Sequence, residues 1–107
     1  MLTLEDKAEA DLALGRPALV MAEVSAWLSA VPLRERLRGL VMLAQYQLGC
    51  RADALSTYRE GRRKMIAEAG LEPGPLLRDL HRRLLADDPA LLRPATGGSA
   101  FSRTAAG

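Results

Sequence analysis

Apolar residues recur at steps of three and four along most of this chain, the spacing that lines up one face of a helix. From about Leu4 to Leu14, Leu4, Ala8 and Leu12 share a face, while Glu5, Asp6, Glu9 and Asp11 cover much of the rest. The apolar face is thin for a helix that must hold itself in place. Thr3 and Asp6 have the spacing of a capping pair, and Gly15 stands where a left-handed helix stop belongs. Pro17 suits the first position of a second helix, along which Val20, Val24, Trp27 or Leu28, and Val31 recur. Pro32 ends it, because a proline pushes the residue before it out of the helical region. Trp27 is expected in the core.

The third pattern, about Leu33 to Leu48, is the most apolar. Leu33, Leu37, Leu40, Val41, Ala44 and Leu48 form a broad stripe, which Met42 and Leu43 widen almost to a full circle. A helix apolar on nearly all sides belongs at the centre of a domain. Arg34, Glu35, Arg36 and Arg38 are expected to keep its first turns wet, and Gly49 ends it. In a fourth helix, about Arg51 to Ala69, Ala54, Tyr58, Gly61 and Met65 follow at steps of four, three and four. The small residues Ala54 and Gly61 are expected to admit a neighbouring backbone, with Tyr58 filling the gap between them. Gly70 stops this helix, and Leu71 is placed for the apolar contact that accompanies such a stop.

Glu72-Pro73-Gly74-Pro75 reads as a rigid connector, since Pro73 restricts Glu72 to extended conformations and Pro75 can open a fifth helix. That helix, to about Leu85, is expected to bury Leu76 or Leu77, Leu80 and Leu84, with Asp79 four residues before Arg83. Asp88-Pro89 can start a short further turn through Leu92. From Pro94 the chain loses periodicity and is rich in Gly, Ser, Thr and Ala. The expected division is a helical domain over 1–93 and a disordered tail over 94–107.

Gly15 and Gly49 lie 34 residues apart, the length of a tetratricopeptide repeat. The same offset pairs Leu14 with Leu48, Val20 with Ala54, and Val24 with Tyr58. Ala54 and Tyr58 reproduce the alanine-to-aromatic step of that repeat, while neither copy has its early tryptophan. The expected fold is all-α: a tetratricopeptide-like stack of about five antiparallel helices, with Gly15, Gly49, Ala54, Tyr58 and Gly61 as the packing positions between repeats.

Composition narrows the function. Hydrophobic residues make up 49% of the chain but aromatic residues only 4%, so the core is aliphatic. A net charge of +2 permits an anionic partner without demanding one. The single cysteine excludes an internal disulfide and argues against a cysteine-based zinc site. No apolar run approaches the roughly 20 residues of a membrane span. The acidic start lacks the features of a signal peptide, which places the protein in the cytoplasm.

Candidate chemistry is sparse. His81 is the sole histidine and, among Arg82 and Arg83, reads as a partly exposed surface residue. Cys50 precedes Arg51, but no partner marks it as a nucleophile and it reads as an inert thiol. Asp87-Asp88 reads as a helix-start cap. The Gly70–Pro75 segment lacks the Gly-Lys-Ser/Thr ending of a phosphate loop, and its two prolines remove backbone donors. No catalytic activity, cofactor, metal or small-molecule ligand is therefore expected. The remaining candidates are arginines: Arg59, Arg62 and Arg63 on the fourth helix, Arg78 and Arg82 on the fifth. Side by side they would form a stripe able to meet a polyanion or a protein partner, tempered by Glu60, Glu68 and Asp79. No aromatic residue interleaves them, which weakens a single-strand reading.

Several runs also resemble a known family. Leu12–Arg16 (LALGR), Pro32–Gly39 (PLRERLRG), Met42–Gly49 (MLAQYQLG), Ala52–Arg59 (ADALSTYR) and Gly70–Leu85 (GLEPGPLLRDLHRRLL) are similar, in order, to the bacterial transcriptional activator domain of the Streptomyces antibiotic regulatory proteins. The resemblance spans about Leu4 to Leu92. It implies a cytoplasmic transcription regulator in which a winged-helix DNA-binding domain comes first and this domain supports self-association or contacts with transcription machinery. The runs begin partway into that domain, and no winged-helix segment stands before Leu4. The expectation is a truncated reading frame or the C-terminal piece of a split regulator, acting through a protein partner. Direct DNA binding by the arginine face, or a non-functional remnant, are the alternatives.

Overall fold

The computed structural model describes residues 3–92. The expected tail over 94–107 lies outside them. Five α-helices follow in order: α1 (Leu4–Ala13), α2 (Pro17–Ala30), α3 (Glu35–Gln47), α4 (Arg51–Ala69) and α5 (Pro75–Leu85), then a short 3₁₀ turn over Pro89–Leu92. They form two antiparallel hairpins, α1–α2 and α3–α4, with α5 laid against α3 and α4. The arrangement is the tetratricopeptide-like stack. α3 is its axis and packs against α1, α2, α4, α5 and the 3₁₀ turn. Its residues Leu37, Leu40, Val41, Met42, Leu43, Ala44 and Tyr46 are all buried.

One chain-reversal device ends four of the five helices. Gly15, Gly49 and Gly70 have φ of 73°, 83° and 67°, and Asp87, after α5, has 54°. That left-handed region is open to glycine and is also tolerated by aspartate. At the first two stops the next amide reaches back five residues in the same way: Arg16 N donates to Asp11 O at 2.8 Å and Cys50 N to Gln45 O at 2.8 Å. The 34-residue offset is thus also an offset in hydrogen bonding. Paired positions share an environment: Val20 and Ala54 are buried, and so are Val24 and Tyr58, whereas Leu14 and Leu48 are exposed. α1 begins with a reciprocal cap, Thr3 Oγ1 accepting from Asp6 N at 3.0 Å and Asp6 accepting from Thr3 N.

The structure departs from the sequence pattern in instructive places. Arg38, expected in solvent, is 2% exposed. It donates to Thr57 O at 2.9 Å and Pro32 O at 3.0 Å, so α3 is fastened to α4 and to the α2–α3 turn through one guanidinium. What approaches Gly61 is this side chain, not a backbone: a Cβ on Gly61 would overlap Cδ and Nε of Arg38. Burial holds the Arg38 pKa below the usual arginine range, against the pull of Glu60. Leu33 and Leu48, counted in the apolar stripe, lie just outside α3 and are exposed, as is Leu71. The stop at Gly70 closes through backbone bonds instead, Gly70 N to Ile66 O and Leu71 N to Met65 O.

The acidic side of α1, which sequence pattern assigns to solvent, attaches that thin helix to its neighbours. Glu5 and Asp11 are buried. Arg34 meets Glu5 at 2.8 Å, Arg36 meets Asp6 and Glu9 at 3.0 Å each, and Lys7 bridges Asp11 and Glu23 at 2.8 Å each. The connector into α5 is held similarly. Pro73 is buried, Glu72 accepts a two-pronged bond from Arg62, and the Glu35 carboxylate accepts from Gly74 N at 2.7 Å at the start of α5. Glu35→Ala leaves that amide without its partner and is expected to cost roughly 1–2 kcal/mol, read as a lower melting temperature. Far-ultraviolet circular dichroism should show the same helix content at low temperature.

At the other end of α5, Tyr46 Oη bonds Asp87, Gln47 donates to Leu91 O at 3.0 Å, and Arg51 donates to Leu84 O and Leu85 O. Asp88 accepts from Ala90 N at 2.9 Å, the cap expected for the last turn. Asp79 pairs with Arg83 at 3.0 Å, also as the spacing implied.

Candidate interaction surfaces

Two surfaces stand out, one at each end of the stack. The first is the arginine face of α4 and α5. Arg59, Arg62, Arg63, Arg78 and Arg82 are all exposed. The structure divides them. Arg62 is held by Glu72 at 2.8 Å, and Arg82, like Arg83, is paired with Asp79. Among the described residues, Arg59, Arg63 and Arg78 have no ion pair. The two helices meet here through an aromatic pair that the arginine pattern conceals: Tyr58 stacks on His81, ring centroids 3.9 Å apart and planes 2° from parallel. His81 is therefore half-buried and structural. Burial, then the nearby Arg59, pushes its pKa below the usual histidine range. Tyr58 is pushed up, chiefly by burial.

The sign of the pH effect follows. A histidine whose folded pKa is depressed favours folding when neutral, so its contribution is present above 6.5 and is lost as the pH falls through its folded value. The melting temperature should drop as the pH falls below 6.5 and level off, for this group, once the folded-state value is passed. His81→Phe keeps the stack but cannot take a proton, and should flatten this part of the curve.

The second surface was missed by periodicity. Trp27 alternated with Leu28 as the inward residue of α2, and the structure turns Leu28 to the core and leaves Trp27 55% exposed. Its indole borders a groove of about 210 Å³ lined by Trp27 and Val31 from the end of α2, Thr3, Leu4 and Glu5 from the start of α1, and Arg34 and Leu37 from the start of α3. The wall is mostly apolar, and its two charges, Glu5 and Arg34, are bonded to each other. The outer side of α2 continues this character: Ala18, Leu19, Ala22, Ala26 and Ala30 are exposed, and the only charged residue of the helix is Glu23. The 34-residue offset explains why the groove is open. Trp27 corresponds to Gly61 and Leu4 to Arg38. In the second repeat Arg38 runs across Gly61 and occupies the space. The first repeat has neither residue.

Neither surface contains a catalytic arrangement. Among the described residues no group of three or more metal-ligating side chains exists, and no helix is long and apolar enough to cross a membrane. Cys50 is exposed at the start of α4.

Comparison with known proteins settles what kind of domain carries these surfaces. Residues 1–85 match the family model described as the bacterial transcriptional activator domain. The chain belongs to the bacterial transcriptional activator domain family. This activator domain is 46% identical over 88 residues to the regulatory protein AfsR of Streptomyces coelicolor, covering 82% of the chain and 9% of AfsR. It is 38% identical over 95 residues to the transcriptional regulator RedD of the same species, covering 89% of the chain and 27% of RedD. Among solved structures, Mycobacterium tuberculosis EmbR in complex with a low-affinity phosphopeptide superposes with a TM-score of 0.78 at 33% identity, over 96% of the chain and 26% of EmbR. The activator domain thus spans at most about a quarter of these relatives. They are transcriptional regulators of the Streptomyces antibiotic regulatory protein type, and transcription regulation, not enzymatic catalysis, is the setting of this fold.

Proposed function

We propose that this chain regulates transcription by protein contact, as the interaction or self-association module of an activator of that type, with DNA read by a winged helix elsewhere or on a partner. The observation that carries this reading is the exposed Trp27 beside its open apolar groove. Tryptophan dominates the energetics of protein interfaces, and a large apolar residue left in water beside a pocket marks a contact surface. The arginine face supports direct DNA binding less well, because Glu72 and Asp79 pair with Arg62, Arg82 and Arg83, offset two of those three charges, and would face a phosphate backbone with their own charge. Light scattering on the eluting protein tests the reading, alone and mixed with a winged-helix regulator of the same family. A complex of either kind, lost on replacing Trp27, is expected. A lone monomer under all these conditions, or a band shift of duplex DNA abolished only by neutralising Arg59, Arg63 and Arg78, would overturn it.

A further inference from the structure

We infer that the Trp27 face pairs with a second copy of this chain about a two-fold axis, each Trp27 entering the other copy's groove; this rests on the protein-contact reading above and names its partner. Three observations specify a copy as the occupant. The first is self-complementarity. A two-fold contact needs one surface to carry both a projection and the recess that receives it. Trp27 stands 55% exposed beside a recess of about 210 Å³, walled also by Leu4, Val31 and Leu37, with room for one large side chain. Because projection and recess lie side by side, an axis between them serves both copies at once. The second repeat offers neither, since Gly61 stands at the place of Trp27 and Arg38 fills the space.

The second observation is charge. Close to a two-fold axis a charged side chain meets its own kind, so self-pairing favours a face without unpaired charge. Leu19, Ala26, Trp27 and Ala30 are exposed within about a third of the circumference of α2. The one charge among them, Glu23, is bonded to Lys7 at 2.8 Å, and at the groove Glu5 is bonded to Arg34 at 2.8 Å. The groove wall therefore has no net charge by which to select an acidic or a basic partner. On α4, 34 residues further on, the places of Leu19, Ala26 and Ala30 are taken by Asp53, Glu60 and Lys64. The third observation is the approach that the face allows. Ala18, Ala22, Ala26 and Ala30, all exposed, form a low ridge at steps of four, and two such ridges interdigitate in the commonest class of helix crossing. With one helix and one groove from each copy, the contact is at the small end of specific interfaces, and the dimer should dissociate in the micromolar range. Pairing joins two regulators, so that two DNA-reading units act as one linked assembly.

Trp27 is the sole tryptophan, so its emission reports directly on the face. Light scattering and emission are followed together on the full chain from about 1 μM to 1 mM. The expected result is a monomer with red-shifted emission at the low end and a dimer with blue-shifted emission at the high end, the two changes sharing one midpoint. Trp27→Asp should stay monomeric throughout. Ala30 is exposed one turn beyond Trp27, so Ala30→Glu and Ala30→Lys leave the core untouched. Each alone should weaken the dimer at least tenfold, and an equimolar mixture of the two should recover it, a result that misfolding does not produce. A monomer at every concentration, a dimer that survives Trp27→Asp, a dimer that forms without change in emission, or Ala30 variants that do not complement each other would overturn the proposal. Any of these alongside a Trp27-dependent complex with the winged-helix regulator would leave the protein-contact reading standing and remove only the second copy as the occupant.

Discussion

Gly61→Ala is expected to lower the stability of the domain by about 2–4 kcal/mol, although alanine is the better helix former by roughly 1 kcal/mol. The reason is a single crossing. The new methyl group would occupy the space of Arg38 Cδ and Nε, and its Cζ would lie only 3.0 Å away. Arg38 cannot simply swing aside. Its guanidinium is buried and donates to Thr57 O and Pro32 O, and leaving either bond strands a polar group that water does not reach. The effect should be strongly coupled. Arg38→Ala alone also destabilises, through the lost bonds and the void. In that background Gly61→Ala should cost nothing and can gain the ordinary helix-propensity difference. A double-mutant cycle by urea unfolding measures this coupling, which should exceed 2 kcal/mol for residues in such contact. Additive costs would show that Gly61 is needed for some other reason.

Trp27→Asp should do the opposite: little to the fold and much to binding. Its side chain is more than half exposed and takes no part in the buried cluster, so the melting temperature should stay close to that of the parent, as for most surface changes within about 0.5 kcal/mol. Partner affinity should fall by a hundredfold or more, because truncating a central aromatic anchor costs about 2–4 kcal/mol of binding, and the new carboxylate would have to be desolvated against an apolar wall. Val24→Asp is the contrast. Val24 lies three residues earlier on the same helix but is buried, and its replacement should abolish folding and binding together. The split between the two variants separates a contact surface from a core position.

These two predictions also mark what was legible in the chain. Helix number, order and most boundaries could be read because apolar spacing, prolines at helix starts and glycines at helix ends agree with one another. The 34-residue offset between Gly15 and Gly49 carried the stacking, and the family runs carried the functional class. Arg38 was invisible because a charged residue in a first helical turn is ordinarily wet. Only the coincidence of an arginine on the central helix with a glycine in the middle of the next could have hinted at the crossing. Trp27 was misplaced for a related reason: Trp27 and Leu28 both fit the period, and pattern alone does not choose between neighbours. The arginines of α4 and α5 lie on the surface, and Asp79's pairing with Arg83 was legible from its spacing on the same helix; Glu72 reaching Arg62 from the connector was not, because it depends on tertiary geometry. The acids of α1 read as solvent cover and instead fasten the helix, since Arg34 and Arg36 reach Glu5, Asp6 and Glu9, and Glu23 reaches Lys7, only after α3 and α2 have packed.

The central claim is that this domain influences transcription by presenting the Trp27 groove to another protein. Fusing the whole chain to an unrelated DNA-binding domain and measuring a reporter downstream of that domain's operator, in a bacterial host, tests it most directly. Reporter output well above the DNA-binding domain alone is expected, lost in Trp27→Asp at equal protein level and retained when Arg59, Arg63 and Arg78 are neutralised. Output that is absent throughout, or that survives Trp27→Asp and disappears with the three arginines, would contradict it.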